Sequence, residues 1–451
     1  MNFIGKKILV IGMARSGVAV SELLSRHGAL VTINDTKSAE TLGDALEPLK
    51  GLNIEWRLGE DAVKLVEEAD GVVISPGVPV TAPAVKRALE LGKPVEAEIE
   101  VAYRLSRGRV VAITGTNGKT TTTTLISEMF KNAGKMTYTV GNIGFPFSAI
   151  ADKTRPEDVT VCEVSSFQLE TIDKFRPVIS AVLNISEDHL NRHGTMDEYI
   201  RMKKRIFENQ RRDDVCVLNY DDPVTRAMAE DMIAQPIFFS RREKVEGAYV
   251  QDGQIMFGID MPRSICGVDE VRIPGPHNLE NALAAVAMAV CAEIPLPVIR
   301  HTLRTFAGVE HRIEFVRELR GVRFINDSKG TNVDSTLKAI ATMDRPTVII
   351  LGGSTKHSDY APLAEAMVDS AYIRGAVVIG ETTPEMLPAL DAAGFTNYRV
   401  CGGFEEAINA AWGMANEGGN VLLSPACASF DMFEDFEQRG EVFKRIVNDL
   451  K

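Results

Sequence analysis

A glycine-rich turn between an apolar segment and a helical pattern constrains this chain more than any other feature. The apolar segment covers residues 109–114, and the helical pattern covers 122–132. A strand, a glycine loop, a lysine, a hydroxyl and a helix in this order are typical of a phosphate-binding loop. Backbone N–H groups can surround phosphate oxygens, the lysine can reach the outer phosphates, and the hydroxyl can hold Mg²⁺. The sequence therefore predicts a nucleoside triphosphate ligand. The loop residues are Gly115, Thr116, Asn117, Gly118, Lys119, Thr120 and Thr121.

This loop is shorter than the common motif. Ile113 occupies the position, five residues before Gly118, where the common motif has a glycine. A glycine-rich helix start of this length can also arise by chance. The run of threonines at 120–124 argues against chance, because threonine is a poor helix former and local stability does not account for it.

The first hundred residues alternate between strand and helix patterns. Apolar runs at 7–11, 30–34 and 71–75 predict buried parallel strands. The first turn is a variant of the dinucleotide fingerprint, with Ala14 between two glycines, and Asp35 ends the second strand, where a ribose-binding acid would lie. This pattern predicts a Rossmann-like nucleotide domain over residues 1–98.

Two further α/β domains are predicted. The central domain, 99–306, contains the phosphate loop and an NTPase-like parallel sheet. Its segment 236–273 has turn signals typical of a small β region. The C-terminal domain, 307–451, also reads as a Rossmann-like α/β domain. The predicted strands of these two domains are 136–141, 159–164, 179–184, 215–219, 322–326, 347–351, 376–379 and 421–424.

Charge and composition limit the class of partner. The net charge of −12 argues against nucleic acid or an anionic membrane as the main partner. The six cysteines show no metal-binding spacing and lie mostly in apolar runs, so we expect reduced, buried thiols in a cytosolic protein. We see no signal-peptide pattern, and the longest apolar run, 282–292, is too short for a membrane span.

Polar residues follow the predicted central strands, and ligands collect at the carboxyl ends of parallel strands. Glu163 fits a Mg²⁺ partner of the phosphate loop, although an acid at a helix start needs no metal. His189 is an unusual Mg²⁺ ligand, and a local turn histidine is an equal alternative. Asn142 and Ser165 lie at neighbouring strand ends.

Lys203 begins a basic run whose ordinary interpretation is a solvated helix face. Helical spacing places Lys203 on the same face as Phe207, so we expect it to be partly buried. A buried lysine loses its proton more readily and could take up CO₂ as a carbamate. Spacing alone does not establish that modification.

The third domain carries cations and small residues at its strand ends. Asp327 and Lys329 follow one strand, Lys356 follows another, and Ser429 lies after the last. These lysines could reach a triphosphate or an acidic substrate. The alternative for Asp327 is a helix cap beside an exposed lysine.

Taken in order, these segments resemble the Mur ligase family of peptidoglycan synthesis over essentially the whole chain. The segments that carry the resemblance are 115–121, 163–170 and 277–285. The N-terminal turn and the ending, 424–440, are similar to the family member that adds D-glutamate. The resemblance implies an ATP-dependent ligase that joins D-glutamate to UDP-N-acetylmuramoyl-L-alanine through an acyl phosphate. It also implies a monomer without membrane insertion.

The resemblance also implies roles for individual residues. Lys119, Asn142, His189 and Lys203 would be catalytic. ATP contacts would come from the phosphate loop and from Asn281, Arg312, Asp327 and Lys329. Two Mg²⁺ ions would be held by Thr120, Glu163, His189 and a carbamylated Lys203.

For the other substrates, the resemblance implies three groups of contacts. The UDP group would be held by Ala14, Arg15, Ser16, Asp35, Thr36 and Gly77. Asn142 and Ser165 would approach the muramoyl-alanine end. D-glutamate would be held by Thr331, Lys356, Ser429, Phe430 and Phe436. Gly330 stands where the family usually has an alanine, and we expect it only to loosen a helix start.

Other functions are compatible with parts of this sequence. A sister Mur ligase adding a different amino acid is the main alternative. A folate polyglutamate-type ligase would leave the N-terminal nucleotide domain unexplained. A nicotinamide-dependent oxidoreductase could use the first glycine turn with Asp35, but the sequence offers no partner for hydride chemistry. The carboxylates and lysines around the phosphate loop disfavour a nucleotide-gated binding module.

Overall fold

A computed structural model describes residues 3–259, 261–355 and 358–451. The chain divides into two compact units. The first unit consists of the described residues up to Val271 together with Leu279–Phe306. The second unit consists of Arg272–Asn278 together with Ala307–Lys451. The predicted domain boundaries at 98/99 and 306/307 stay predictions.

The first unit begins with a parallel five-stranded sheet in the order β3-β2-β1-β4-β5. Its central strands β1 and β4 are almost entirely apolar and buried, as a sheet covered on both faces requires. The strands are β1 (Lys7–Ile11), β2 (Leu30–Asn34), β3 (Ile54–Trp56), β4 (Gly71–Ile74) and β5 (Val95–Ala97). The helices are α1 (Arg15–Arg26), α2 (Ala39–Leu42), α3 (Ala62–Val66), α4 (Pro83–Glu90) and α5 (Glu98–Leu105).

A nine-stranded sheet forms the rest of the first unit, in the order β14-β13-β12-β11-β10-β9-β6-β8-β7. The strands are β6 (Arg109–Thr114), β7 (Thr137–Gly141), β8 (Val159–Glu163), β9 (Ile179–Val182), β10 (Val215–Asn219), β11 (Gln235–Ser240), β12 (Gly247–Gln251), β13 (Gln254–Gly258) and β14 (Arg263–Gly267). The helices are α6 (Lys119–Asn132), α7 (Ser166–Leu169), α8 (Leu190–His193), α9 (Met196–Lys204), α10 (Pro223–Ala227), α11 (Pro276–Cys291) and α12 (Leu296–Thr305). Residues 276–278 of α11 belong to the second unit.

The two sheets of the first unit share a hydrophobic core. Leu23 of α1 and Ile99 of α5 belong to the same buried cluster as Val182 of β9 and Phe147, which follows β7 in the chain. Burying apolar surface on both sides of α5 explains why the two sheets form one compact unit.

The second unit contains a six-stranded sheet in the order β15-β16-β20-β17-β18-β19, in which only β15 runs antiparallel to its neighbour. Separate apolar clusters pack on its two faces. The strands are β15 (Glu314–Leu319), β16 (Val322–Asn326), β17 (Thr347–Gly352), β18 (Ile373–Ile379), β19 (Tyr398–Val400) and β20 (Asn420–Leu423). The helices are α13 (Val333–Ile340), α14 (Ala361–Asp369), α15 (Thr383–Ala393), α16 (Phe404–Met414) and α17 (Phe436–Asp449).

The predicted α/β class with three sheet-forming regions is confirmed. The small β region is not separate, because β12 pairs with β11 and the antiparallel strands β13 and β14 continue the central sheet. Four strands were missed: β3, β5 and β19 have three residues each, and β15 is a partly exposed edge strand. None of them shows the buried apolar run on which the strand prediction depended.

The structure bears on four local expectations, which concern two helix starts, the cysteines and membrane crossing. Helix α6 begins at Lys119, so the threonine run lies within the helix. Helix α13 begins at Val333, so Gly330 does not lie at a helix start and the expected loosening there was wrong. A Cβ at Gly330 would instead lie 2.7 Å from Asp327 Oδ2. All six cysteines are free thiols, and five are buried. Within the described residues, no helix combines the length and apolar character that crossing a membrane requires.

Candidate active site

Four loops of the first unit meet at one edge of the central sheet. Strands β9, β6, β8 and β7 are consecutive neighbours and run parallel, so their carboxyl ends lie side by side. The loop after β6 is the phosphate loop. Glu163 ends β8 and Ser165 follows it, and the loops after β7 and β9 carry Asn142 and His189. The strand-end residues predicted from sequence therefore lie at a common edge.

Specific contacts determine the backbone conformation of the phosphate loop. Gly118 caps α6 with φ of 82°, and a Cβ there would lie 2.2 Å from the Asn281 side-chain oxygen. Only glycine fits both the left-handed backbone and this close approach. The Asn117 N–H donates to Asn184 Oδ1 (2.9 Å), and Asn184 Nδ2 donates to the Asn117 carbonyl (3.0 Å). The loop is therefore shaped before any phosphate binds.

Thr116 ties this loop to the loop that follows β9. Its hydroxyl donates to the Ser186 carbonyl (3.1 Å) and accepts from the Ser186 N–H (3.0 Å). The Tyr199 hydroxyl lies 3.2 Å from the same Thr116 oxygen, and burial raises the pKa of Tyr199 far above its usual range. Tyr199 therefore remains a neutral phenol that can donate a hydrogen bond.

Two lysines converge on a single carbonyl of the loop. Lys119 Nζ donates to Gly115 O (2.9 Å) and Thr116 O (2.7 Å), and Lys203 Nζ donates to Gly115 O (2.8 Å). Lys203 is fully buried, which exceeds the partial burial predicted from sequence. Burial, followed by repulsion from Lys119, lowers the pKa of Lys203 well below its usual range. The charges of Asp188 and Glu163 offset this shift only in part.

Glu163 has one engaged and one unengaged oxygen. Its Oε1 accepts from Asn142 Nδ2 (3.0 Å), and its main-chain carbonyl accepts from the Asn142 N–H (2.9 Å). Within the described parts of the chain, the buried Oε2 has no hydrogen-bond partner. A buried carboxylate oxygen without a partner is costly, and it is the kind of ligand that Mg²⁺ prefers. These residues fit a divalent cation.

Three other predicted residues lie near this edge with local roles of their own. His189 adopts a left-handed backbone (φ of 54°) before α8, and its ring packs edge-on against Phe167 at 4.8 Å between centroids. The Ser165 hydroxyl caps α7 in a capping box with Gln168. Thr120 is buried in the first turn of α6. Their roles in binding stay predictions.

The first turn of the N-terminal sheet is closely packed. A Cβ at Gly17 would lie 1.8 Å from the Gly12 carbonyl, so glycine lets α1 begin directly against the strand. The Asp35 carboxylate accepts from the Met13 N–H (2.7 Å) and from the Lys37 N–H (2.9 Å). Asp35 thus orders the turn that precedes Ala14, Arg15 and Ser16 and the chain at Thr36. Gly77 has open space where a side chain would be, so packing does not require glycine there.

The second unit has its own set of residues at the carboxyl ends of β16, β20 and β17, which are adjacent strands. Asp327 is fully buried and accepts from Ser424 Oγ (2.7 Å) and the Ile313 N–H (3.2 Å). Burial raises the pKa of Asp327 to about 6, although the Arg312 charge opposes the shift. Asp327 is therefore an internal acid rather than the helix cap considered above, because Asn332 caps α13.

The remaining predicted residues of this unit are placed as follows. Lys329 Nζ lies 4.6 Å from the centre of the Phe436 ring, a cation–π contact. The Thr331 N–H donates to the Lys329 carbonyl (2.9 Å). Ser429 is buried, whereas Phe430 is 73% exposed. Lys356 lies outside the described residues.

Sequence reasoning missed several residues that shape these loops. Arg439 is the clearest: buried within α17, it donates to the carbonyls of Ser328, Cys427 and Ala428. An arginine on the apolar face of an amphipathic helix was the available signal. Tyr199 was missed because its partner lies far away in sequence, and for the same reason the contact of the strand-end residue Asn184 with the phosphate loop was not predicted.

Comparison with known proteins gives matches over the whole chain. Three family models match in sequence order: "Mur ligase MurD-like, N-terminal domain" at residues 6–97, "Mur ligase middle domain" at 113–289, and "Mur ligase, glutamate ligase domain" at 311–427. The chain is 48% identical over 452 residues to the UDP-N-acetylmuramoylalanine–D-glutamate ligase of Pelotomaculum thermopropionicum, covering 100% of this chain and 99% of that protein. It is 45% identical over 454 residues to the protein of the same name from Clostridioides difficile, covering all of both chains.

Among solved structures, the UDP-N-acetylmuramate-alanine ligase of Thermotoga maritima is similar, with a TM-score of 0.63 and 18% identity, over 99% of this chain and all of that one. A pseudomurein peptide ligase type C from Methanothermus fervidus gives a TM-score of 0.59 at 21% identity, over 99% of this chain and 100% of that chain. At these sequence identities the structural matches show only that the fold is shared.

Proposed function

This chain belongs to the Mur ligase family, and from that premise we propose that it joins D-glutamate to UDP-N-acetylmuramoyl-L-alanine at the expense of ATP. The proteins that carry that activity in their names align with it from end to end. The observation that supports the proposal most strongly is the convergence of Lys119, Lys203 and Glu163 at the carboxyl ends of β6 and β8.

In the first step we propose that the substrate carboxylate attacks the γ-phosphate of ATP, which gives an acyl phosphate and ADP. The phosphate loop would bind the β- and γ-phosphates through its N–H groups and the Lys119 ammonium. Lys119 already points into the loop, because its ammonium is held by two loop carbonyls. Phosphate oxygens would replace those carbonyls as its partners.

The Thr120 hydroxyl, the free Oε2 of Glu163, His189 and a carbamylated Lys203 would hold Mg²⁺, which we propose to be two ions. When bound, Mg²⁺ would neutralise the charge that builds up on the transferring phosphoryl group. A buried lysine with a lowered pKa has the neutral amine that adds CO₂, and the resulting carbamate is an anionic oxygen ligand. Asn142 would keep Glu163 oriented through its bond to Oε1.

In the second step the amine of D-glutamate attacks the acyl carbon through a tetrahedral intermediate. Phosphate leaves and an amide bond remains. We propose that D-glutamate binds beside Thr331, Lys356, Ser429, Phe430 and Phe436, and that Arg312, Asp327 and Lys329, with Asn281, contact ATP. The exposed Phe430 is available to cover a ligand. The UDP group would bind at Ala14, Arg15, Ser16, Asp35, Thr36 and Gly77, with Ser165 near the muramoyl-alanine end. All of these residues come from one chain, so we propose an active monomer.

The test is phosphate release from ATP and Mg²⁺ in the presence of UDP-N-acetylmuramoyl-L-alanine. Release should require D-glutamate and should fail with L-glutamate, L-alanine or a diamino acid. Lys119→Ala should abolish turnover, whereas Lys131→Ala, an exposed lysine of the same helix α6, should not. No D-glutamate-dependent release would refute the proposal, and release with another amino acid would point to a sister ligase.

A further inference from the structure

One charged side chain links the loop that carries His189 to the N-terminal sheet. Arg192 lies in α8, three residues after His189. Its Nε and Nη2 donate to the two oxygens of Glu170, at 3.0 Å and 2.6 Å. Its Nη2 also donates to the main-chain carbonyl of Val78 at 3.0 Å.

Both partners of this ion pair are largely buried, with side-chain exposures of 14% for Arg192 and 5% for Glu170. A bidentate arginine–carboxylate pair fixes orientation as well as distance, because both groups are planar. The guanidinium carbon also lies 4.8 Å from the centre of the Phe167 ring. The position of Arg192 is therefore determined from several sides.

Phe167 connects the pair to the central site. The edge of the ring packs against His189, and Phe167 lies in α7, which begins three residues after Glu163. Moving Arg192 would release both the ring and the backbone turn at His189. The pair thus supports the residues at the ends of β8 and β9.

On the other side, Val78 belongs to the loop that follows β4. Its N–H donates to the Ser75 carbonyl (2.9 Å), and the Ser75 hydroxyl donates to the Gly12 carbonyl (2.6 Å). This loop is therefore tied to the first glycine turn, and it contains Gly77. A displacement of Val78 would therefore also displace the turn that is proposed to bind the UDP group.

We infer that Arg192, held by Glu170, is a positioning residue that sets the distance between the UDP-binding loops and the phosphate loop. The inference rests on the proposed function. A substrate that spans the two sheets must bring its carboxylate to the γ-phosphate, and misplacement by about 1 Å can cost about 10²-fold in rate. Arg192 acts through Val78, Phe167 and His189 rather than by touching the reacting atoms.

The chain offers a matched control pair. Arg176 donates to both oxygens of Asp214, at 2.7 Å and 2.9 Å. This pair lies at the amino ends of β9 and β10, at the opposite edge of the central sheet. Arg176→Lys therefore removes the same bidentate geometry without reaching the proposed site.

The experiment compares Arg192→Lys with Arg176→Lys in the full chain. We expect Arg192→Lys to lower kcat/KM for the UDP substrate by about 10²-fold while KM for ATP changes by less than about twofold. We expect Arg176→Lys to leave both parameters near wild type. Glu170→Gln should reproduce the Arg192→Lys pattern, which guards against an effect of the introduced lysine.

Hydrogen exchange supplies a second readout that does not depend on ligation. Without substrate, the peptide covering residues 75–82 should exchange faster in Arg192→Lys than in Arg176→Lys. Equal kinetics in the two variants, or faster exchange without the kinetic loss, would overturn the inference. Absence of ligation in the wild-type protein would instead refute the proposed function, and equal exchange in the two variants would then still overturn the link to Val78.

Discussion

Two buried basic residues, Lys203 of α9 beside the central sheet and Arg439 of α17 in the second unit, differ in how their surroundings treat a positive charge. Both side chains are 2% exposed. Lys203 has one carbonyl acceptor at 2.8 Å and a threonine hydroxyl at 3.5 Å. Arg439 donates to three carbonyls and to the Ser328 hydroxyl.

Neighbouring charges and the higher ordinary pKa of arginine explain the different protonation of the two groups. Burial lowers the pKa of Lys203 well below its usual range, and repulsion from Lys119 adds to that shift, whereas acidic groups near Arg439 oppose the lowering of its pKa. Burial also lowers the pKa of Arg439, but only to about 10, so the guanidinium stays charged at neutral pH. Lys203 is thus available for chemistry as a neutral amine, and Arg439 is a permanent cation that holds loops together.

The largest expected effect is a loss of ligation activity on replacing Lys203. Lys203→Ala should lower ligation on the order of 10³-fold, because a ligand of the phosphoryl-transfer site is lost. Formate or acetate should restore part of the rate by standing in for the carbamate. Lys204→Ala, a neighbouring lysine paired with Asp231, is the control and should remain active. Full activity of Lys203→Ala without added carboxylate would show that Lys203 has no role in the chemistry.

The next effect is a loss of folding stability on replacing Arg439. Arg439→Met should destabilise the second unit by about 3–4 kcal/mol, because several buried carbonyls lose their donor. Urea unfolding followed by Trp412 fluorescence in a Trp56→Phe background reports on this unit, since the chain has two tryptophans. Arg445→Met, exposed on the same helix, should cost less than about 0.5 kcal/mol. Similar losses in both variants would contradict the scaffold role.

A third effect concerns the buried acid near Arg439. Asp327 has a raised pKa of about 6, so between about pH 4 and 6 the folded protein holds a proton that the unfolded chain has lost. Stability contributed by this group is therefore present at low pH and lost as pH rises through 6. Relative to wild type, Asp327→Asn should gain about 2 kcal/mol between pH 4 and pH 7.

The measurement is urea unfolding of the second unit across that pH range. Asp369→Asn, on the surface at the end of α14, controls for the loss of one carboxylate. A difference between Asp327→Asn and wild type that stays constant with pH would contradict the raised pKa.

The smallest effect tests whether the exposed part of the second unit binds substrate. Phe430→Ala should raise KM for D-glutamate about tenfold, equivalent to about 1.4 kcal/mol of binding, without changing stability. Phe315→Ala is the control, because this edge-strand phenylalanine is 60% exposed, compared with 73% for Phe430. Equal KM values in the two variants would leave Phe430 without a role in binding.

Much of the fold was predictable because its signals are local. A buried apolar run such as Val159–Glu163 predicts a strand, and the glycine loop before α6 predicts a turn. Both predictions need only residues that are neighbours in the chain. The strand-end residues Asn142 and Glu163 followed from the rule that ligands collect at the carboxyl ends of parallel strands. Short strands such as Ile54–Trp56 were missed, because three residues carry no measurable period.

The sequence by itself determined the order of strands and helices, the phosphate loop and the residues at its edge, because these depend on contacts between near neighbours in the chain. Only the tertiary structure decided the full burial of Lys203, the acceptors of Arg439 and the bond from Arg192 to Val78. That last pair is 114 positions apart in sequence. Contacts of this kind depend on how completed sheets and helices pack, and a pattern along the chain does not encode that distance.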